Sequence, residues 1–506
     1  MRVSRYPSII PALTLASHAL LTRLVLVSIA VIGAVLLAQP SLSSALAVLA
    51  ALGITVVVLS NPPSMLAILL ILAPLRTLYS TEAPRLGLPT LPLDIGQILV
   101  IALGISWLGY CLRMRRLPTF LRCREVYALL PLLPLAVFLG AGAASIFSAF
   151  SITAALTEWL KWVQIAVIAL ITLDICTLVR PQTVLHIFIA AGAAHAIIGI
   201  YQYFGGSGAL HLLINDRNFR AFGTFGQPNP FGGFMGIMFP LAFVSFLASL
   251  AQSLRQHQRL GRTILALALS GIAVLLTGTA LIMSWSRGAW LGFGVSVAAM
   301  LIALPKKWFH SVALAAALAG IGLGITASGR LPASITERLG SITEELFNIR
   351  DVRGIDITPV NYAVVERLAH WQAALAMATD HPWLGVGIGN YESAYPQYRL
   401  MNWKFPLGHA HNMYLNTLAE IGFFGLATYA AFIFSLLWYA WRCRAHPDQS
   451  SRLIAIGVLG VWVYVVIHSL TDNLYVNNVF IHLSVTIGML ASLARDIPMG
   501  RPVKAG

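Results

Sequence analysis

Long apolar stretches alternate with short polar or basic stretches along most of the chain. Many of the apolar stretches approach the length of about 20 residues that a helix needs to cross a bilayer. We predict about fourteen membrane helices, with these bounds: 21–38, 43–59, 64–79, 93–111, 126–147, 158–178, 183–204, 229–250, 263–283, 288–304, 308–326, 411–441, 452–471 and 478–494. The predicted fold is an all-α, polytopic membrane bundle of about 12–14 transmembrane helices.

One long segment, 328–410, interrupts this pattern because it is polar and carries charges of both signs. Apolar residues recur within it at helical spacing and predict a short amphipathic helix over about 361–378. The chain therefore divides into three parts. N-terminal transmembrane helices occupy 1–327, a large external loop occupies 328–410, and C-terminal transmembrane helices with a short tail occupy 411–506.

Composition and charge support a membrane protein and predict its orientation. The chain is 58% hydrophobic and only 10% charged, whereas soluble domains average about 25% charged residues. The net charge of +15 comes largely from basic residues in every second loop, as the positive-inside rule requires of cytoplasmic loops. Both termini are then cytoplasmic and the polar segment lies outside. The motif and basic face that nucleic-acid binding requires are missing.

The four cysteines do not suggest a metal or redox site. None of them forms a Cys-x-x-Cys pair, and all four fall at or near predicted cytoplasmic helix ends. We therefore predict free thiols at these positions: Cys111, Cys123, Cys176 and Cys443.

Two arginines stand at the predicted outer surface, where the positive-inside rule disfavours them. Arg287 precedes one membrane helix, and Arg220 lies in an outer loop that also holds Arg217 and ends at Asn229, a candidate helix cap. A guanidinium stays charged and matches phosphate oxygens with its planar fork. Two such groups on one cavity would suit a diphosphate. The alternatives are a snorkelling Arg287 and a structural ion pair of Arg220.

A cluster of polar residues marks the point where the chain re-enters the membrane. His409, His411, Asn412 and Tyr414 all lie there, and we expect His411, Tyr414 and Leu415 to share a helical face. An imidazole can accept a proton from a sugar hydroxyl near neutral pH, although a lone histidine is often structural. The two histidines are spaced i, i+2 without a partnering acidic motif, which makes zinc binding a poor interpretation.

A glycine-rich stretch precedes this cluster and includes Gly387, Gly389 and Asn390. It matches neither GxGxxG nor a P-loop. We interpret it as a tight turn under the site, and the alternative is a set of backbone N–H groups that hold phosphate. Further polar residues in or near membrane helices are interpreted as packing rather than as a proton relay: Glu158, Lys161, Asp174, His468, Asp472, Asn473, Asn477 and His482.

Four motifs in a fixed order resemble the bacterial O-antigen ligase and polymerase superfamily. They are Arg-x-x-Gly-Thr-Phe-Gly-x-Pro-Asn at 220–229, Ser-Arg-Gly-Ala-Trp-Leu-Gly at 286–292, His-Pro-x-x-Gly-x-Gly-x-Gly-Asn at 381–390, and His-Asn-x-x-Leu at 411–415. The resemblance covers roughly 150–490, and the large external loop holds the third motif and ends just before the fourth. It implies a fold similar to the polytopic lipid-dependent glycosyltransferases of the GT-C type.

The resemblance also implies a function and roles for individual residues. A polysaccharide would move from undecaprenyl diphosphate to an acceptor hydroxyl at the outer face of the inner membrane, without metal, nucleotide or other cofactor. Arg220 and Arg287 would bind the diphosphate, and His411 would be the general base. Substrate contacts are expected from the remaining candidates: Arg217, Asn229, His409, Asn412, Tyr414, Gly387, Gly389 and Asn390.

The acceptor remains open at this stage. We favour a ligase that uses a lipid A–core glycolipid. The alternatives are an O-antigen or exopolysaccharide polymerase, a protein O-oligosaccharyltransferase, and a transporter with no covalent chemistry, because polar residues and broken membrane helices also occur in transporters.

Overall fold

The computed structural model describes residues 61–77, 80, 94–122, 129–206, 212–214, 217–255, 260–328, 340, 351–358 and 361–497. The first two predicted helices, 21–38 and 43–59, and Cys123 lie outside these residues. Cys111, Cys176 and Cys443 are free thiols, as predicted.

The described chain is almost entirely helical. Its α-helices are α1 (Pro62–Leu72), α2 (Ile95–Arg113), α3 (Leu133–Ser145), α4 (Ile152–Leu178), α5 (Pro181–Tyr201), α6 (Pro228–Arg255), α7 (Leu260–Met283), α8 (Arg287–Ala303), α9 (Trp308–Ala327), α10 (Tyr362–Asp380), α11 (Tyr391–Tyr398), α12 (Met413–Cys443), α13 (Gln449–His468) and α14 (Val479–Arg495). A two-residue antiparallel hairpin, β1 (Leu213–Ile214) with β2 (Asn218–Phe219), lies between α5 and α6. The fold is therefore all-α, as the hydrophobic pattern predicted.

Eight helical segments of the described chain are long and apolar enough to cross a membrane. They correspond to α2 to α7, α12 and α13, and four shorter apolar segments correspond to α1, α8, α9 and α14. Exposed leucine, isoleucine and phenylalanine side chains on these helices are compatible with a lipid environment, where apolar surface carries no cost. The chain is a multi-pass membrane protein.

Helices α6, α8, α12 and α13 pack together near the centre of the bundle. Helix α13 packs against α6, α8 and α12, and α14 packs against α4. Small residues allow close approach: a Cβ on Gly236 would overlap the Tyr464 ring, and one on Gly460 would overlap Met300. This packing brings the start of α6, the start of α8, the start of α12 and the end of α13 to one end of the bundle.

The long predicted helix at 411–441 differs from a single straight span. Helix α12 begins at Met413 and is broken at Gly422, whose φ of 70° and ψ of −167° are not helical. A Cβ at Gly422 would overlap the backbone of Trp383 in the 328–410 segment, here named the outer loop after its predicted side of the membrane. Phe423 N–H donates to Pro382 O of the same segment at 2.8 Å. The break therefore lets the outer loop insert against the helix.

Candidate functional site

Arg220 is fixed immediately after the hairpin. Its backbone N–H donates to Leu212 O at 2.8 Å, and its Nε donates to Ser284 O at 3.1 Å. Its Nη2 donates to Asn229 Oδ1, also at 3.1 Å. These bonds orient the guanidinium and tie the loop that follows β2 to the start of α6 and to the turn between α7 and α8. They use only part of its donor set, because a guanidinium has five N–H donors.

Arg287 is the first residue of α8 and lies close to the turn that follows α13. Trp285, two residues earlier, adopts a left-handed φ of 54°, which is uncommon for a bulky residue. A Cβ on Gly288 would overlap Thr471 Oγ1 and would lie 3.6 Å from His468 Cε1. Only glycine at this position lets the start of α8 approach the 468–472 turn.

Three guanidiniums gather at this end of the bundle. Burial, together with the positive charges of Arg367 and Arg287, lowers the pKa of Arg220 to about 10, so that it remains a cation at neutral pH. Arg367 comes from α10 in the outer loop. Like charges held close together repel one another, and a bound polyanion would relieve that repulsion. This arrangement is suited to a diphosphate.

His411 is held in an unusual backbone conformation just before α12. Its φ is 53°, in the left-handed region that non-glycine residues rarely occupy outside functional or strained sites. Asn412 caps α12 by accepting the N–H groups of Tyr414 and Leu415 at 3.0 and 3.1 Å. Asn412 also donates to Leu470 O at 3.1 Å. His411 is thus anchored to the 468–472 turn, and the expectation that it shares a helical face with Tyr414 and Leu415 is wrong, because it precedes the helix.

Asp472 faces both histidines. Its Oδ1 lies 3.4 Å from His411 Nδ1 and 3.7 Å from His409 Nε2. His409 Nδ1 accepts the backbone N–H of His411 at 3.0 Å, so the proton of a neutral His409 sits on Nε2, toward the carboxylate. If His411 directs its Nδ1–H toward the same carboxylate, its Nε2 carries the free lone pair that a general base requires.

The electrostatics of this trio follow from burial and mutual proximity. The imidazoles of His411, His409 and His468 hold the pKa of the Asp472 carboxyl well below its usual range, although burial acts in the opposite direction. Burial lowers the pKa of His409 to about 3, and the neighbouring His411 acts in the same direction. At neutral pH the site therefore has an anionic Asp472 beside a neutral His409.

Helix α10 contributes two side chains that the sequence analysis did not select. The His370 ring centroid lies 6.1 Å from that of His411, and His370 Nδ1 lies 2.9 Å from Tyr391 Oη. Burial, assisted by His411, lowers the pKa of His370 to about 4. Arg367 lies one turn before His370. The amphipathic helix predicted over 361–378 is confirmed as Tyr362–Asp380. Its polar residues Arg367 and His370 were the features of the sequence that could have identified them as site residues.

The glycine-rich turn packs beneath this region as a structural element. Glu420 accepts the N–H groups of Gly389 at 2.9 Å and Tyr391 at 3.0 Å. Asn390 is fully buried, and its Oδ1 accepts Ser151 N–H at 2.6 Å. A Cβ on Gly387, with φ of 100°, would overlap Ala149. Protein partners thus occupy the N–H of Gly389 and the side chain of Asn390. These contacts support the interpretation of the stretch as a tight turn under the site.

The remaining candidate residues differ in their contacts. Asn229 binds Arg220 directly, whereas Tyr414 donates its hydroxyl to Val466 O at 2.8 Å and has a packing contact. Arg217 lies exposed in the turn of the hairpin. Elsewhere, Asp174 pairs with Arg116 at 3.1 Å at the opposite end of the bundle, which agrees with a packing role.

His409, His411 and Asp472 also have the donor set for a divalent metal. One ligand atom from each lies within 4.8 Å of the other two, and imidazole nitrogen with carboxylate oxygen is a common ligand combination for zinc. In the sequence, no acidic residue lies near the two histidines at a spacing typical of zinc sites. The fold supplies an acidic partner from the turn after α13.

The fold and the site together define a polytopic membrane protein that presents cations and a histidine–carboxylate pair at one end of its helices. Comparison with protein families extends this description: residues 272–430 match the family model described as O-antigen ligase. The match includes Arg287, the outer loop, His409 and His411, and confirms the resemblance that the motifs indicated. It supports a membrane enzyme of the O-antigen ligase or polymerase type. No curated protein matches the chain.

Proposed function

We propose that the protein is a glycosyltransferase that moves a polysaccharide from undecaprenyl diphosphate to an acceptor hydroxyl. The observation that carries this proposal is the position of the arginines beside the turn that holds Asp472. Arg220 is close to Arg287 and Arg367, and Gly288, next to Arg287, packs against Thr471. In the same turn, Asp472 Oδ1 lies 3.4 Å from His411 Nδ1. The cations suit the diphosphate of a lipid-linked donor, and the pair suits activation of a hydroxyl. The family match adds a lipid-linked glycan donor and a glycolipid acceptor as the general substrate classes.

The proposed reaction is a single displacement. The acceptor hydroxyl gives its proton to His411 Nε2 as its oxygen forms a bond to the anomeric carbon. The bond between that carbon and the diphosphate oxygen breaks, and undecaprenyl diphosphate leaves with the electron pair. Arg220 and Arg287 stabilise the charge that develops on the leaving group, and Asp472 stabilises the imidazolium. One displacement inverts the anomeric configuration.

Each residue group has a separate energetic role. Removing one cation that stabilises developing charge costs on the order of 3 kcal/mol of transition-state stabilisation in comparable sites. His409 is neutral and shares Asp472 with His411, so its proposed role is to position the carboxylate and to contact substrate. Arg367 reaches the site from the outer loop and would act on the diphosphate only when that loop is docked.

The proposed orientation places the site at the outer face of the inner membrane, with both termini in the cytoplasm. Basic loops at the opposite end of the helices support this orientation. We favour a ligase with a lipid A–core acceptor, because the matched family model is described as O-antigen ligase. Polymerisation of the glycan, transfer to protein and non-covalent transport are the alternatives that the experiment must separate.

The test is reconstituted transfer from an undecaprenyl-diphosphate-linked glycan, in EDTA and without nucleotide, with lipid A–core, free glycan and protein acceptors in parallel. Wild type should release undecaprenyl diphosphate and attach the glycan to lipid A–core, and His411→Ala should do neither while remaining folded. Tyr414→Phe is the matched control, because it loses only a hydroxyl bound to Val466 O. A product on a different acceptor would identify the polymerase or the protein glycosylase. Movement of lipid or solute across liposome membranes without any covalent product would refute the proposed enzymatic function.

A further inference from the structure

A polar cavity lies at the end of the bundle opposite His411. It has a volume of about 520 Å³ and opens among α5, α6, α7 and α13. These helices connect the two ends: α5 starts at the cavity and ends at Gln202, which binds the backbone at Phe222 and Gly223 beside Arg220. Helix α13 starts at the cavity and ends at His468. A 20-residue helix spans about 30 Å, so the cavity and the proposed active site occupy opposite membrane faces.

The lining of the cavity has a charged rim and an apolar floor. Arg180 and Arg255 lie at the rim, together with His186 and several amides and hydroxyls. The floor is formed by the side chains of Leu185, Val244, Ala248, Leu453 and Ile454. This combination of cationic rim and apolar floor matches a molecule that has an anionic head and hydrocarbon chains.

Two cations of the rim have no acidic partner in the described part of the chain. Among the residues that the structure describes, Arg180 and Arg255 form no ion pair. The side chain of Ser245, which is only 5% exposed, lines the same cavity. Asp448 is the acidic residue of the lining, but its carboxylate accepts Ser451 N–H at 2.8 Å as the cap of α13. A ligand that carries hydrogen-bond acceptors and negative charge would satisfy the rim.

Helix geometry favours the same ligand. The first turns of α5 and α13 both contribute to the lining, through Gln182 and through Gln449 and Ser450. The N-terminus of a helix carries partial positive charge and unsatisfied N–H groups. These two helix ends supplement the arginines, so the field at the cavity favours an anion.

We propose that this cavity binds the phosphate headgroup of an anionic phospholipid from the leaflet opposite the active site. Basic pockets between membrane helices on the cytoplasmic side are known to hold such headgroups. The lipid phosphate would lie between Arg180 and Arg255, and its acyl chains would follow the apolar floor. The bound lipid would link α5, α6 and α13, the helices that position Arg220, Asn229 and the 468–472 turn.

The experiment uses the full chain, purified in detergent and depleted of lipid. Phosphatidylglycerol and phosphatidylcholine with identical acyl chains are titrated separately, and bound lipid is counted by native mass spectrometry. Phosphatidylglycerol should bind with at least about tenfold higher affinity, because each cation near an anionic lipid contributes measurably to binding. The double variant Arg180→Gln, Arg255→Gln should lose this preference.

A matched control is available at the same face of the bundle. Arg113→Gln, Arg115→Gln removes two exposed arginines at the end of α2, outside the cavity lining, and should keep the preference for phosphatidylglycerol. If the cavity variant does not fold, a photoactivatable phosphatidylglycerol on wild type provides the test. Its cross-links should map to the ends of α5, α6 and α13 that line the cavity.

Three results would overturn the proposal. The first is equal affinity of wild type for the two lipids. The second is an equal loss of affinity for phosphatidylglycerol in the cavity variant and in the control variant. The third is displacement of phosphatidylglycerol by equimolar glycerophosphoglycerol or inorganic phosphate, since a site for free anions would not need the acyl chains. None of these measurements depends on glycan transfer, so this proposal can fail while the proposed enzymatic function stands.

Discussion

Replacing Asp472 by asparagine should slow the chemical step strongly. When His411 accepts the proton, its imidazolium faces the Asp472 carboxylate across 3.4 Å. Two unit charges at that distance attract by about 5 kcal/mol at an effective dielectric constant of about 20. Water in the site screens part of this attraction, so we expect a loss of about 2–4 kcal/mol, which corresponds to a decrease in kcat of about 30-fold to 1000-fold.

The assay is steady-state release of undecaprenyl diphosphate by reconstituted wild type and Asp472→Asn at saturating acceptor. The KM for the donor should stay within about threefold, because the proposed donor contacts are made by Arg220 and Arg287 and an interaction realised only in the transition state affects kcat. Thermal unfolding of both proteins checks that the substitution leaves the fold intact.

A double-mutant cycle separates positioning from general damage. In a His411→Ala background, whose slow residual release is followed over a long incubation, Asp472→Asn should cause little further loss, because a carboxylate that acts through His411 has no remaining partner. The reasoning would be refuted if Asp472→Asn caused the same fold loss in both backgrounds, or if it raised the donor KM while leaving kcat unchanged.

Three further predictions follow from the described contacts. Arg220→Lys should lower kcat/KM by about 100-fold, because an ammonium cannot reproduce the fork that binds Ser284 O and Asn229; wild-type donor kinetics in this variant would contradict it. His370→Gln should reduce the stability lost between pH 7 and pH 5 by about 1–2 kcal/mol in chemical unfolding. The pKa of His370 is lowered to about 4 in the folded state, which therefore binds fewer protons than the unfolded state, so stability falls as pH drops below about 6.5. An unchanged pH dependence would contradict this prediction. Gly387→Ala should lower the melting temperature by several degrees, because its φ of 100° and its contact with Ala149 both exclude a side chain. The control is Gly354→Ala, which has a positive φ but no atom near its Cβ and so separates backbone strain from the packing clash. An unchanged melting temperature in Gly387→Ala would contradict the packing role of the turn.

Hydrophobic periodicity predicted the membrane helices because each one is encoded locally. The predicted run at 263–283 is observed as Leu260–Met283, and the predicted amphipathic helix at 361–378 as Tyr362–Asp380. An apolar stretch of this length has few stable conformations in lipid besides a helix. The break at Gly422 was not predicted, since it depends on contact with the backbone of Trp383 in another segment.

The candidate site was only partly predictable because its residues converge from distant segments. Arg220, Arg287 and His411 could be selected by their chemistry and by their position at outer helix ends. The sequence favours a packing role for Asp472, because its proximity to His411 arises from the packing of α13 against α12. The two residues are far apart in the sequence, so local spacing could not predict their contact. Arg367 was missed for a similar reason, because its helix reaches the site only after the outer loop docks.

The structure also changed the interpretation of the glycine-rich turn. In the sequence, its N–H groups were compatible with either a tight turn or a phosphate cradle. In the fold, the carboxylate of Glu420 accepts two of them, and Ser145 Oγ accepts the N–H of Ile388 at 3.0 Å. A buried carboxylate requires such donors, so this turn and α12 stabilise one another.

The central claim is that His411 activates an acceptor hydroxyl for attack on a lipid-diphosphate-linked glycan. The most direct measurement is a single-turnover reaction with a radiolabelled donor, in which transferred glycan and released undecaprenyl diphosphate are counted together. Wild type should give one diphosphate for each glycan transferred, with inverted anomeric configuration, and His411→Ala should give neither product while still binding the donor. Undiminished transfer by His411→Ala, or a product with retained configuration, would contradict the account.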